Sequence, residues 1–590
     1  MHTSIQNHII CLQPLHQGKF TKEFVVDKWD HSRKQLVQTK IQITIQNQEF
    51  MIYSQDGVIL RIEKVYDFEK NPEILNNMEQ IKNLTWQGLY GLNDKKYGKW
   101  IAFWNVLELM DVGGYYKDGL KQGLWRDITK NYQSHIQIFE IGEYQKDLRV
   151  GVWKYTDDNN NWIGGGIYDY EGYKKGKWIV LDEQFSKQSE VIYNGEYNIK
   201  GQKVGRWDIL LNGKQIGGGQ YHFSSSNKIG KWIELDQGFY ISKQITYSGK
   251  YNEHGMKTGR WDIFYNDYLD NNQLKNFKIG GGEYQSGKKI GRWIEVDEQF
   301  CKYKQVVYIG DYDMMGMKIG KWCINYKDGD DKEKYKYIGG GSYDNQTGNK
   351  TGIWIELDEQ FYKYRLVTYT GSYDQNNIKV DRWDIYYNNF QANNQWKKKL
   401  IGGGKYKSSS GKKIGLWLEL DERFKISLQI FQHGEYNKYG MKIGRWDIFC
   451  NNYHVNDCCK NIQIGGGYYD YCLGNKIGRW IELDERFSRI KKITYNGEYD
   501  MKGIKIGRWD IFNNGFQANY QLNEKYIGGG SYDSSLGVKF GRWIELDDQF
   551  VDYQQYTYEG EYNSKGKKIN LWVKMDIKQN KQLKELRYDN

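Results

Sequence analysis

A Gly-Gly-Gly triplet opens at Gly164, Gly217, Gly280, Gly339, Gly402, Gly465 and Gly528, and this recurrence limits what the chain can fold into more than any other feature. The last three steps are 63 residues each, and the earlier ones are 53, 63 and 59. Self-similarity at such a period marks a repeat architecture. Each unit holds two related halves. The first runs from the triplet to Gly-x-Lys-x-Gly-x-Trp-Ile-Glu-Leu-Asp-Glu-x-Phe, and the second reads Tyr-x-Gly-Glu-Tyr…Gly-x-Lys-x-Gly-Arg-Trp-Asp-Ile. The first tryptophan leads the second by 29 residues in every unit, from Trp178 and Trp207 to Trp543 and Trp572. Return distances range from 25 to 34, which puts the length variation in one class of loop. Degenerate copies at Trp100, Trp125 and Trp153 bring the tryptophan-bearing hairpins to 17.

The local pattern is that of a β-hairpin. In the second halves Tyr197, Tyr251, Tyr312, Tyr373, Tyr436, Tyr499 and Tyr562 each stand ten residues before their tryptophan. Between them lies a turn such as Asn252-Glu-His-Gly255-Met-Lys257-Thr-Gly259. β-favouring aromatics around a short glycine-bearing segment give a hairpin. The glycine two before the tyrosine, as at Gly195 and Gly249, leaves room for an aromatic to lie flat. A lone two-stranded hairpin is marginal in water, so neighbouring copies must supply strand partners and cover the rings.

Composition agrees. The chain has 590 residues, is 39% hydrophobic and carries 51 Tyr and 22 Trp but only 2 Pro. Its mean hydropathy is −0.83. Disordered chains are poor in aromatics and rich in proline. Tyrosine and tryptophan can bury a ring face while keeping a wet edge, which suits a thin sheet. The expected fold is all-β: an elongated tandem β-hairpin repeat array, either one sheet or a β-solenoid, with a small α+β N-terminal region. Residues 1–85 form the cap region, 86–577 the repeats, and 578–590 a polar C-terminal tail. Asn71-Pro72-Glu73 predicts a short helix near 72–84. Val37–Val58 alternates as strands do.

The second-half pattern resembles the MORN repeat family (membrane occupation and recognition nexus), carried by Tyr247-Ser-Gly249-Lys-Tyr251 and Tyr558-Glu-Gly560-Glu-Tyr562. The Gly-x-Lys-x-Gly-x-Trp continuation is similar to variant MORN repeats of bacterial antitoxin-like proteins. The turn is one residue longer than the usual MORN spacing. The doubled unit also resembles large ciliate repeat families of unassigned role. The resemblance covers roughly residues 86–577. It implies a hairpin array used for protein scaffolding, often near membranes or the cytoskeleton, and it implies no catalytic site.

Several constellations suggest chemistry. Glu356 and Asp358 of Glu-Leu-Asp-Glu share a strand face and could act as a carboxylate pair, but the cluster recurs in most units while an active site occurs once. The glycine triplets lack the Lys-Ser/Thr of a phosphate-binding loop, and a bulge with close backbone approach is the simpler reading. Cys11 and His16, with His2, His8 and His31, suggest a metal site, but one cysteine without a Cys-x-x-Cys partner makes ordinary surface residues the simpler reading. Asp328-Gly-Asp-Asp331 lacks the closing glutamate of a calcium loop. Seven cysteines include only one adjacent pair, Cys458 and Cys459, and no Cys-x-x-Cys. That points to a reducing, cytoplasmic setting, and the resemblance implies a cortical or cytoskeletal place within it. No catalytic residue, metal or cofactor is expected.

A cation stands four residues before every motif tryptophan. These are Lys174, Lys203, Lys228, Lys257, Lys289, Lys318, Lys350, Lys379, Lys413, Lys442, Lys476, Lys505, Lys539 and Lys568, preceded by Lys96, Lys121 and Arg149. In one reading each stem packs over an aromatic ring and each head pairs with a carboxylate. In the other the row binds an anionic membrane surface or acidic polymer. The net charge of +11 is mild for this length and does not indicate a nucleic-acid binder. The expected role is a non-enzymatic scaffold for protein partners. The alternatives are a peripheral membrane or acidic-polymer binder and, from another class, an enzyme or glycan-binding protein.

Overall fold

The computed structural model describes residues 19–588, apart from 31–34, 47–48, 56–57, 66–73, 92–93, 187–188, 241–242, 269–273, 328–334, 391–395, 426, 452–461 and 517–521. Cys11, His16, His2, His8, His31, Asn71, Pro72, Asp328, Asp331, Cys458 and Cys459 lie outside the described residues. The chain divides into two compact units, Met1–Met317 and Lys318–Asn590. The described residues hold 39 strands and one helix, and the fold is an all-β array of tandem hairpins.

The first unit begins with a separate four-stranded antiparallel sheet, Lys19–Asp30, Gln35–Gln46, Phe50–Gln55 and Val58–Lys64. Its alternating apolar residues Val26, Ile41, Ile43, Met51 and Tyr53 pack on Met78 and Ile81 of the helix Met78–Asn83. That helix is shorter than the 72–84 expected. Asn77, not Asn71, caps it, its Oδ1 accepting from the Glu79 N–H at 2.9 Å. The repeats start two residues earlier than expected, with the strand Leu84–Tyr90.

From there each strand pairs antiparallel with its neighbours in chain order. The order runs from Leu84–Tyr90 to Gln305–Tyr312 in the first unit and from Lys318–Lys327 to Lys581–Tyr588 in the second. A solenoid would pair each strand with one a full turn away, so within each unit the hairpins form a single meandering sheet. The polar tail expected over 578–590 is in part a strand, Lys581–Tyr588, in register with Lys568–Asp576. Tyr588 sets its ring 6.3 Å from Trp572, edge to face, as the repeat tyrosines do. The strand itself carries no Gly-x-Trp motif.

One sheet face carries the tryptophans. Within each unit the rings lie flat on a glycine of the preceding strand, where a Cβ would meet the indole at about 2.3 Å, as with Gly371 under Trp383 and Gly434 under Trp446. Tyrosines stand edge-on between the indoles, as in Tyr343–Trp354 (5.1 Å, 81°) and Trp354–Tyr373 (6.3 Å, 84°). Such T-shaped contacts are worth about 0.5–1.5 kcal/mol each beyond area burial. The triplet glycines have separate jobs. A Cβ on Gly402 would strike the Leu418 carbonyl, one on Gly403 the Trp383 carbonyl, and one on Gly404 the Trp417 ring. The register shifts between Gly403 and Lys405 form the bulge expected there.

Beyond the rings, the Asp-Glu-x-Phe segments fold back over the same face. Phe361, Phe424 and Phe487 are buried, and Phe361 packs on Tyr326 at 5.3 Å. Arg365 pairs with Asp358 at 2.7 Å and also donates to the carbonyls of Asp421, Glu422 and Phe424 at 3.1, 2.8 and 3.1 Å, one unit further on. Where Leu428 replaces the arginine, Arg423 reaches Leu483 O and Asp484 O instead. At the first copy the donor comes from the cap. Gln80 Nε2 gives to the carbonyls of Thr129, Lys130 and Tyr132 at 3.2, 3.0 and 3.1 Å. Gln80→Ala is therefore expected to cost about 1–3 kcal/mol, leaving buried carbonyls without a donor. Hydrogen exchange should register the loss as faster exchange in 78–83 and 129–139.

Candidate functional site

The repeat lysines stand in a ladder on the tryptophan face. Their strands bulge at the glycine two before the tryptophan, which turns the lysine stem back over the ring. Nζ sits 3.7 Å from the Trp446 centroid in Lys442 and 4.8 Å from that of Trp480 in Lys476. The Glu-Leu-Asp-Glu glutamate lies two residues past the first-half tryptophan, on the same face. Glu482 pairs with Lys476, with Lys505 at 2.8 Å, and accepts from the Tyr499 hydroxyl at 2.6 Å. Glu356 is held by Lys350, Lys379 and Tyr373, and Glu545 by Lys539, Lys568 and Tyr562. Glu234 takes Lys228, Lys257 and Tyr251, and Glu419 takes Lys413, Lys442 and Tyr436. Lys289 pairs with Glu295. The Lys-over-ring, head-to-carboxylate arrangement is thus what these pairs adopt.

Electrostatics follow from the geometry. Burial alone would raise the glutamates, but two ammonium groups outweigh it and hold Glu234, Glu482 and Glu545 down at about 2. Burial lowers Lys257, Lys442 and Lys505, and their glutamates oppose it. Burial first, then the adjoining carboxylate, lifts Tyr251, Tyr373 and Tyr499 far above the usual phenol range. Glu356 and Asp358 are not a shared-proton pair, since Asp358 belongs to Arg365 and to the Tyr369 hydroxyl at 2.9 Å. The crevice bounded by Glu140, Arg149, Trp153, Tyr155, Tyr168 and Trp178 has no room for a water molecule. Among the described residues no group of three or more His, Cys, Asp or Glu is placed to hold a metal ion.

The opposite face is chemically different, and sequence reasoning passed over it. Counting back one residue from each buried tryptophan, strand alternation places a side chain there. The second unit shows Lys321, Ile353, Arg382, Leu416, Arg445, Arg479, Arg508, Arg542 and Leu571 in this row. Ile353 is 73% exposed, Leu416 67%, and the Arg542 side chain 77%. Arg382, Arg445 and Arg508 pair with Asp384, Asp447 and Asp510 at 2.6–2.8 Å, all on the surface. Aromatics join them: Arg508 donates to the Tyr526 hydroxyl at 2.9 Å, and Phe512 and Tyr526 meet edge-on at 6.0 Å. Tyr337, Leu400 and Tyr468 are exposed at related positions.

No family model matches the chain, and no curated protein matches it. Among solved structures, the complex of the fission yeast SREBP–SCAP binding domains is 9% identical, covers 58% of this chain and 75% of its own, and has a TM-score of 0.19. The WD40 domain of SCAP from fission yeast is 8% identical, covers 80% and 88%, and has a TM-score of 0.20. Likenesses at that level carry no argument about fold or role.

Proposed function

We propose that this chain is a non-enzymatic, MORN-like repeat scaffold that binds protein partners through the sheet face opposite its tryptophans. The observation that supports this reading is the contrast between the two faces. On the tryptophan face the lysines around Glu234, Glu356, Glu419, Glu482 and Glu545 are matched by those carboxylates over buried rings. The opposite face exposes arginines, tyrosines and aliphatic side chains in a repeating row. Arginine and aromatic residues are the types that anchor protein interfaces. Its surface ion pairs hold their side chains only weakly, so a partner can exchange them at little cost. The lysine row is poorly placed for an anionic membrane, because each paired ammonium would first have to leave its glutamate.

Affinity capture from the native cell tests this, comparing the intact chain with an Arg382→Glu, Arg445→Glu, Arg508→Glu variant. Partners recovered by the intact chain should be lost, with affinities down about 30-fold or more if these arginines are anchors, while circular dichroism is unchanged. Undiminished capture by the variant, or binding to anionic vesicles that disappears with salt, would refute the assignment.

A further inference from the structure

The seven first-half tryptophans and the degenerate Trp125 make eight, and seven of these are followed two residues later by a carboxylate: Asp127, Glu234, Glu295, Glu356, Glu419, Glu482 and Glu545. The exception is Val180, after Trp178. The groups that grip the carboxylate elsewhere are all present around it. Lys174 Nζ lies 4.5 Å from the Trp178 centroid and 5.5 Å from that of Tyr197; Lys228 lies 4.7 and 5.6 Å from Trp232 and Tyr251. Lys203 Nζ lies 4.3 Å from Trp207 and 5.6 Å from Tyr193; Lys257 lies 3.9 and 5.8 Å from Trp261 and Tyr247. Tyr197 occupies the position from which Tyr251 donates to Glu234 at 2.7 Å. The cage therefore keeps its shape without its central anion.

Nearby acids are engaged elsewhere. Glu140 pairs with Arg149, and Asp182 accepts from the Tyr193 hydroxyl and the Gln184 N–H at 2.8 Å each. Burial, then the charges of Lys174 and Lys228, push Lys203 down to about 8. Two half-buried cations thus face a position where Val180 ends at its γ-carbons and packs against the ring stack. Burial lowers Lys174, Glu140 opposes that and Arg149 adds to it, yet among the described residues no carboxylate forms an ion pair with Lys174 or Lys203; a carboxylate arriving from outside would recover charge-assisted hydrogen bonds already laid out for it.

We propose that Lys174, Lys203 and Tyr197 form a receptor for one carboxylate, carried by an acidic side chain of a protein partner, which takes the place that Glu234 fills from within in the next unit. A lone carboxylate on a half-exposed site is held weakly; as one point of a larger contact it gains the effective concentration of the rest. The receptor lies on the tryptophan face, so its failure and that of the opposite-face reading are separate results.

The test titrates the full chain with a short fluorescein-labelled peptide of alternating Glu and Gly, with acetate as the free-carboxylate arm. Val180→Glu supplies the anion internally. It should weaken peptide binding at least about tenfold, a loss of 1.4 kcal/mol, and raise the thermal midpoint. Lys174→Met with Lys203→Met should weaken binding equally, by removing the charge rather than filling the site. Acetate should displace the peptide only in large excess. Peptide binding by the Val180→Glu chain equal to that of the wild type would overturn the proposal. So would acetate competing as strongly as peptide carboxylate, because the site would then serve a free small acid.

Discussion

Glu482→Gln is expected to destabilise the second unit by about 3–5 kcal/mol, the range for removing one partner of a buried ion pair. The amide keeps the shape but leaves Lys476 and Lys505, both over indoles, without their shared counter-charge. Urea unfolding followed by tryptophan fluorescence should show the midpoint drop. The same pairs predict the acid limit of the fold. Glu482 falls from an ordinary 4.5 to about 2 on folding, because the lysine charges outweigh burial. A folded value below the unfolded one means the contribution is complete above about 4.5 and is lost as the pH falls toward 2. Glu234 and Glu545 behave alike. Calorimetry should therefore find the thermal midpoint falling steeply across that window. The gap between wild type and Glu482→Gln should narrow over the same range, since protonation removes from the wild type what the amide has already removed.

Gly403→Ala is the second large effect, at about 3 kcal/mol. Gly403 has φ +135°, and an added Cβ would lie 2.3 Å from the Trp383 carbonyl oxygen, a backbone atom that no rotamer change can clear. The strand would have to shift and lift the Trp383 and Trp417 rings with it. Gly415 is the control: its φ is +66° and nothing lies within 4 Å of an added Cβ. Asp381 already holds the corresponding position before Trp383 at φ +58°. Gly415→Asn should cost no more than about 1 kcal/mol. Equal losses for the two variants would mean that turn strain, not close approach, sets the value of the triplet.

The strands were legible because the chain repeats its own experiment: glycine, tyrosine and tryptophan recur at fixed offsets, and only a stacked hairpin uses all three. The strand Lys581–Tyr588 was missed because it lacks the glycine and the tryptophan; the clue was Tyr588, whose ring closes the last indole. The helix start was misplaced because Asn71-Pro72 and Asn77 both carry a capping residue, and only tertiary packing of Met78 and Ile81 selects the second. The lysine row was visible as a spacing, with two roles open, packing over a ring beside a carboxylate or binding an anionic surface. Whether an ammonium faces solvent or glutamate depends on a bulge and on a carboxylate contributed by another strand, such as Glu482 for Lys505. The exposed arginines one residue before the tryptophans needed only the two-residue alternation of a strand. Val180 needed the units to be read as columns, where one valine interrupts a run of acids.

The latch from Arg365 to the carbonyls of Asp421, Glu422 and Phe424 has a consequence for inheritance. Every bond it makes is to the adjoining unit, and the next donor, Arg423, addresses Leu483 and Asp484 in the same manner. A gene that loses or duplicates one whole 63-residue period thus offers each remaining donor an equivalent acceptor, whereas an indel of any other size inside a strand leaves both neighbours mismatched. Selection can set the number of copies while length variation stays confined to the return loops.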